Sequence, residues 1–191
     1  MKTDRDLTNS PQEKEISLLE RVSRLEQRLD DALMLIADNY RYGPLKAMLA
    51  AGKWKEADLE TTKVMIEITG ETELEQITPD DLKKFPCNAI MVIDQLWQKY
   101  SNNRFGFSVQ LRLYQSLGGN MDTIRAQQNE FLHRVSEKIG WRVNGKVVAY
   151  DDFDFSLDAA AEGALPGNWW MSPYGAKMAN FFLARLISCE I

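Results

Sequence analysis

The chain has 191 residues, 45% of them hydrophobic and 27% charged, with 28 acidic against 23 basic side chains for a net charge of −5. That size and composition suit one globular domain plus a small appendage, not a disordered or fibrous chain. The acidic balance removes the basic field that would make nucleic acid, or an anionic membrane bound by charge alone, a natural partner.

Three further features bear on location. Cys87 and Cys189 are far apart and outside any metal-ligand spacing, so they read as unpaired thiols in a reduced compartment, with Cys87 inert and buried. The start MKTDRDLTNSPQEKE is polar, without a signal-peptide or transit-peptide pattern. No apolar run reaches the ~18 to 20 residues of a membrane span. The expectation is a soluble, cytoplasmic protein without a transmembrane segment, with peripheral membrane contact left open.

Leu18, Val22, Leu25, Leu29, Ala32 and Ile36 recur in alternating steps of four and three, with Glu20, Arg21, Arg24, Glu26 and Arg28 between them. This is a heptad seam, and it favours a homo-oligomer, dimer or trimer, through residues 18–36 over a surface helix packed on its own domain. Leu19, Leu33 and Leu35 widen the apolar face, which leaves a small helical bundle as the alternative. The pattern changes at Asp38-Asn39-Tyr40, so residues 1–39 form an N-terminal coiled-coil helix and residues 40–191 a second domain.

Tyr42 to Ala51 reads as a short helix stopped by Gly52. Trp54, Ala57, Thr61, Val64, Met65 and Ile68 line one face of the next, stopped by Gly70. Thr78-Pro79-Asp80-Asp81 starts a helix with a cap, a first-turn proline and acids that complement the dipole, and Phe85-Pro86 ends it. Asn88 is the expected cap of a helix buried through Ile90, Ile93, Leu96, Trp97 and Tyr100. After a turn at 101–106, Ser108 is the expected cap of a helix ending at Gly118-Gly119. Asp122 is the expected cap of one running through Phe131, Val135 and Ile139 to Gly140. Asn144-Gly145 between two β-prone runs predicts a small type I′ hairpin over 141–148. Residues 151–175 lack periodicity, and so long a loop points to function. A closing amphipathic helix carries Met178, Phe181, Phe182, Arg185, Leu186 and Cys189. The fold class is all-α.

Catalytic motifs are missing: there is no phosphate-cradling glycine loop, no dinucleotide fingerprint and only one histidine. His133 reads as an ordinary helix residue, and Asp151, Asp152 and Asp154 as solvated turn acids, since no downstream ligands complete a calcium loop. Asp94 reads as a half-buried carboxylate bonded to a neighbouring turn. No catalytic or metal-binding residue is assigned, and the chain is not expected to be an enzyme.

Two aromatic regions stand out. In Arg104-Phe105-Gly106-Phe107-Ser108-Val109-Gln110 a turn sets two phenylalanines about a glycine, beside an arginine, and these rings either plug the core or line a wall. In the long loop Phe153, Phe155, Leu157, Leu165, Pro166, Trp169 and Trp170 either fold back as core or line a site for an apolar ligand.

The strings Lys53-Trp54-Lys55-Glu56-Ala57-Asp58-Leu59-Glu60-Thr61, Phe85-Pro86-Cys87, Ile93-Asp94-Gln95-Leu96-Trp97, Tyr100-Ser101, Arg104 to Gln110 and Gly140-Trp141 resemble, in order and spacing, the genomes-uncoupled-four family of tetrapyrrole-binding proteins. The resemblance covers nearly all of 40–191. It implies a helical domain shaped like a cupped hand that binds protoporphyrin or magnesium protoporphyrin, with haem and bilins as further ligands. It also implies a non-catalytic regulator that stimulates magnesium chelatase in chlorophyll biosynthesis, the chelatase large subunit being the partner. The alternative is a bilin- or haem-sensing, or pigment-free, interaction module oligomerised by its coiled coil. Carried over by position, the resemblance makes Arg104, Phe105, Phe107, Val109 and Gln110 one wall of the cleft and Leu165, Pro166, Trp169 and Trp170 the mobile other wall, with Trp141 alongside. Arg112, Arg142 and Lys146 are further cations for ligand carboxylates. His133 is not expected to reach the cleft, so a bound metal keeps water or nothing as its protein-side axial ligand. One departure is Ala164, where family members tend to carry a histidine, so any role of that histidine is lost; the N-terminal coiled coil in place of a helical bundle, in a family that also occurs as a module attached to other regions, is a second departure, and it puts chelatase stimulation in question.

Overall fold

The computed structural model describes the backbone of residues 11–191 and, before residue 39, the side chains of 18, 20–26, 28 and 29. The seam positions Ala32 and Ile36, together with Leu19, Leu33 and Leu35, lie outside the described side chains. Contacts divide the chain into two compact units, Met1–Arg41 and Tyr42–Ile191, each described by itself.

Helix α1 spans Pro11–Ala50. It runs through Asp38-Asn39-Tyr40, where the change of pattern suggested a break. Neither glycine nor proline stands at those three positions to stop it; Pro44 lies within the helix and removes one backbone donor without ending it. In the first unit the described seam residues Leu18, Val22, Leu25 and Leu29 are 43 to 60% exposed. Their periodicity therefore leaves an apolar stripe facing outward.

The second unit is mainly helical. Helix α2, Trp54–Thr69, buries its Trp54, Ala57, Asp58, Thr61, Thr62 and Met65 stripe and ends on Gly70 in the left-handed region. Helix α3, Pro79–Lys84, begins with a capping box in which the Thr78 hydroxyl accepts from the Asp81 N–H. Helix α4, Cys87–Tyr100, starts after Pro86 with no side-chain cap, so Asn88 lies inside it. Helix α5, Phe107–Ser116, follows Gly106. Its first-turn donor at Ser108 is satisfied from another helix, the Asp94 Oδ1 of α4 accepting the Ser108 N–H at 2.9 Å. Ser108 is thus not the cap. The helix expected from Asp122 onward is two. Asn120, not Asp122, caps α6, Met121–Arg125, and α7, Glu130–Lys138, follows after Gln127 at φ +52°. Strands β1, Arg142–Val143, and β2, Lys146–Val147, pair antiparallel. Asn144 and Gly145 both have positive φ, as a type I′ turn requires. Helix α8, Ala176–Ser188, closes the fold. It packs on α3, α5 and α6, while α7 packs on α5 and β1.

The core runs through Trp54, Trp97, Phe105, Phe107 and Phe182. A tilted Trp54–Trp97 pair meets Phe105 edge-on, and Phe107 meets Phe182 edge-on at 5.0 Å. Cys87 and Cys189, expected as unpaired thiols, form a disulfide across a separation of 102 residues. The fold brings the first residue of α4 and the residue after α8 to a Cα–Cα distance of 5.3 Å, a proximity that spacing in the sequence does not reveal. The case for a reduced compartment rested on unpaired thiols, and that support is withdrawn. Among the described residues no helix is long and apolar enough to cross a membrane.

Candidate ligand-binding site

The Arg104–Gln110 turn and the 160–168 loop are stitched together. The Gly106 N–H donates to the Leu165 carbonyl at 3.0 Å and the Gly163 N–H to the Arg104 carbonyl at 2.9 Å. Arg104 Nη2 donates to the Ala160 carbonyl at 2.7 Å, and Gln110 Nε2 to the carbonyls of Gly163 and Pro166 at 3.0 and 2.8 Å. Gly106 has no room for a side chain, because a Cβ there would meet Asp94 Oδ1 at 2.6 Å. From the other side, the wholly buried Asp58 of α2 accepts the N–H groups of Gly167 at 2.9 Å and Asn168 at 3.1 and 3.2 Å. Burial pushes the Asp58 carboxyl up to about 7, against the lowering effect of those backbone donors. Beside it, burial first and the Asp58 charge second hold the Tyr150 hydroxyl above the ordinary range.

The two stretches expected as facing walls are therefore joined side by side through their backbones, and of their expected residues only Gln110 and Trp170 reach the cavity beside them. Phe105, Phe107, Val109 and Leu165 have no exposed surface, and Trp169 packs on Phe85 and Phe182. These residues support a site without lining it, and Arg104 is turned to the loop backbone.

The cavity opens beside these two stretches, walled by α5, α7, β1, β2 and the entry to α8. It holds about 370 Å³ and is open on one side, within the ~300 to 1,000 Å³ of small-molecule sites. Three expected residues line it: Gln110, Trp141 and Trp170. Gln110 Oε1 accepts the Trp170 indole N–H at 2.9 Å, and the Ala164 carbonyl accepts that of Trp141 at 2.9 Å. Both indoles thus turn their polar edges into the protein and are fixed with centroids 6.0 Å apart. Phe153 stacks on Trp141 at 6.1 Å and 5°, and Phe182 meets Trp170 edge-on at 5.2 Å. The result is an aromatic wall of two indoles tilted by 43° and held by their N–H bonds. Ile139, Val135 and Leu132 of α7 and Ala179 and Leu183 of α8 complete the apolar lining.

Polar groups are few and mostly committed. Arg142 lines the cavity with its Nη1 donating to the Gly145 carbonyl at 2.5 Å and its Nε buried without a partner among the described groups. Tyr114 is bonded to the Thr123 hydroxyl at 2.8 Å, and Ser136 to the Leu132 carbonyl at 2.7 Å. Arg112 and Lys146 are exposed and outside the lining. His133, not expected to reach the ligand, is in the lining. Asp151 pairs with Lys55 at 2.7 Å, and Asp154 accepts the Ser156 N–H at 2.8 Å, each serving local structure.

Sequence reading passed over Asp58 and set His133 aside as an ordinary helix residue. A signal existed for Asp58: it falls on the same helical stripe as Ala57, Thr61, Thr62 and Met65, where an acid must find donors. His133 gave none, because the break at Gln127 resets the helical phase and with it the face the imidazole occupies.

Comparison with known proteins adds independent ground. The GUN4-like family model matches residues 36–178. A Ycf53-like protein of Synechocystis is 31% identical over 133 residues, covering 68% of this chain and 52% of that protein. An Arabidopsis thaliana protein named "Tetrapyrrole-binding protein, chloroplastic" is 34% identical over 80 residues, 37% of this chain and 27% of that protein. The chain spans about half the length of the Ycf53 relatives from Porphyra purpurea and Synechocystis. In structure it is similar to ligand-free Arabidopsis thaliana GUN4, with a TM-score of 0.57 at 24% identity over 75% of this chain and 94% of that one. Chlamydomonas reinhardtii GUN4 gives 0.53 at 24% identity over 74% and 86%. At that identity the structural likeness speaks for the fold.

Proposed function

Since the chain belongs to the GUN4-like family, we propose that it is a non-catalytic tetrapyrrole-binding regulator whose ligand sits in the cavity over Trp141 and Trp170. The observation that carries this is the aromatic wall: two indoles with inward N–H groups, tilted by 43° to each other, line the cavity together with the Arg142 guanidinium. A tetrapyrrole has the matching chemistry, a flat apolar disc edged by propionates that pair well with a guanidinium. Because the hollow is open on one side, such a disc enters by its edge and stays partly outside. The described lining has no carboxylate and a single imidazole, an inventory that suits holding and presenting a pigment.

Protoporphyrin, its magnesium form, haem and bilins share this chemistry. Regulation of a magnesium chelatase is the finer proposal, supported by the family resemblance, and it applies to the whole protein. The exposed Leu18, Val22, Leu25 and Leu29 stripe supports self-association through 18–36. Val22 and Leu29 take one core register and Leu18 and Leu25 the other. Arg21 and Glu26 then flank the seam with the spacing that pairs opposite charges between parallel copies.

Titrating the protein with each of the four pigments while following tryptophan fluorescence and pigment absorption is the test. Quenching with micromolar or tighter affinity, weakened at least tenfold in Trp170→Ala, is expected. Quenching by none of the four overturns the proposal.

A further inference from the structure

We infer that the Cys87–Cys189 disulfide is a redox-sensitive clamp on α8, by which the oxidation state of these two sulfurs sets the affinity of the cavity for its ligand; this rests on the ligand reading of the cavity. The link ties the first residue of α4 to the residue that follows α8. Helix α8 supplies Ala176, Ala179 and Leu183 to the cavity lining. Seven positions before Cys189, and so on the same helical face, stands the buried Phe182. Its ring meets Trp170 edge-on at 5.2 Å and Trp169 at 5.5 Å. The clamp therefore holds the helix that backs one of the two indoles of the cavity wall.

Two observations point to a switch and not to a buried staple. Cys87 and Cys189 are both partly exposed, where an attacking thiolate reaches them, and exposed disulfides are the labile ones. The fold also seats α8 without the covalent tie. Arg185 Nε donates to the Phe85 carbonyl at 2.7 Å, Leu186 is wholly buried, and the helix packs on α3, α5 and α6. Breaking the link thus leaves α8 in place with a looser last turn, so both states are folded and differ in how firmly the support of Trp170 is held.

The chemistry balances with a dithiol as reductant. One of its thiolates attacks one sulfur of the link, the other cysteine leaves as a thiolate and takes a proton, and the second thiol of the reductant resolves the mixed disulfide. Two electrons and two protons pass to the chain, Cys87 and Cys189 end as thiols, and the reductant ends as its own disulfide.

The test uses the full chain, with protoporphyrin as probe and dithiothreitol as the dithiol. Mass after alkylation counts free thiols, tryptophan quenching gives affinity, and far-ultraviolet circular dichroism follows the helices. Dithiothreitol is expected to free both thiols, to leave the helical signal in place and to weaken protoporphyrin binding by about fivefold or more, the low end of coupling between sites; reoxidation with diamide restores the affinity. The double variant Cys87→Ser, Cys189→Ser is expected to bind as the reduced parent does, with or without dithiothreitol. Affinities within twofold in the two states, a disulfide that persists in excess dithiothreitol, or a response kept in the double variant overturns the inference and leaves the cavity reading standing. So does loss of the helical signal on reduction, which makes the link a staple of the fold. Quenching in neither state removes the ligand reading and the clamp with it.

Discussion

At position 58 a carboxylate with no exposed surface spans α2 and the loop, and its protonation near neutrality gives the fold a pH dependence of known sign. Its folded pKa of about 7 lies above the ordinary aspartate value of 3.8. Its contribution is therefore full below about pH 4 and is lost as pH rises through about 7, a change on the order of 4 kcal/mol over that window. In Asp58→Asn, urea unfolding from pH 4 to 8 is expected to lack that decline relative to the parent; parallel profiles count against the assignment. Asp80, Asp81 and Asp154, whose hydrogen-bonding partners hold them low, act at more acidic pH and are common to both proteins. Gly106 carries a second expectation. With φ at +134° and Asp94 Oδ1 within 2.6 Å of any added Cβ, Gly106→Ala is expected to lose about 2 to 4 kcal/mol. An unfolding midpoint equal to the parent's contradicts this.

Elements made of local periodicity were the most legible. The α2 stripe ending at Gly70, the Thr78 box of α3, the Asn144-Gly145 hairpin and the closing α8 were each written in spacing and turn residues. Caps supplied from a distance were not: Asp94 serves the start of α5 across 14 positions, and no local rule names it over Ser108. The break at Gln127 was equally hidden, because a glutamine with positive φ has no sequence signature of the kind a glycine provides. That break decides which α7 residues enter the cavity. In the candidate cavity, Gln110, Trp141 and Trp170 are the lining residues that the sequence singled out as wall residues. In the first unit, Leu25 takes a core position in the seam and is 59% exposed. Leu25→Asp is expected to convert the oligomer to monomer by light scattering while α-helical circular dichroism from 42–191 persists. A parent protein already monomeric at tens of micromolar contradicts the seam.

Over the whole molecule, the covalent link from Cys87 to Cys189 encloses most of the second unit. Closing a loop of that length removes unfolded-state freedom worth about 4 to 5 kcal/mol in the chain-entropy picture. Reduction, or Cys87→Ser, is expected to lower Tm by about 10 °C, with α8 loosened first; an unchanged Tm contradicts a stabilising role. The same α8 forms part of the cavity lining through Ala176, Ala179 and Leu183, so the link and the ligand site share an element. On its other side α8 lines a second hollow of about 630 Å³ with Lys83, Arg125 and Lys177 around Ile124 and Phe181, a rival location for an anionic apolar ligand. A crystal structure of the protein with bound protoporphyrin separates the two places most directly. Pigment density over Trp141 and Trp170, with a propionate at Arg142, is the expected result. Density in the Lys83–Arg125–Lys177 hollow, or a complex with the indole wall bare, contradicts it.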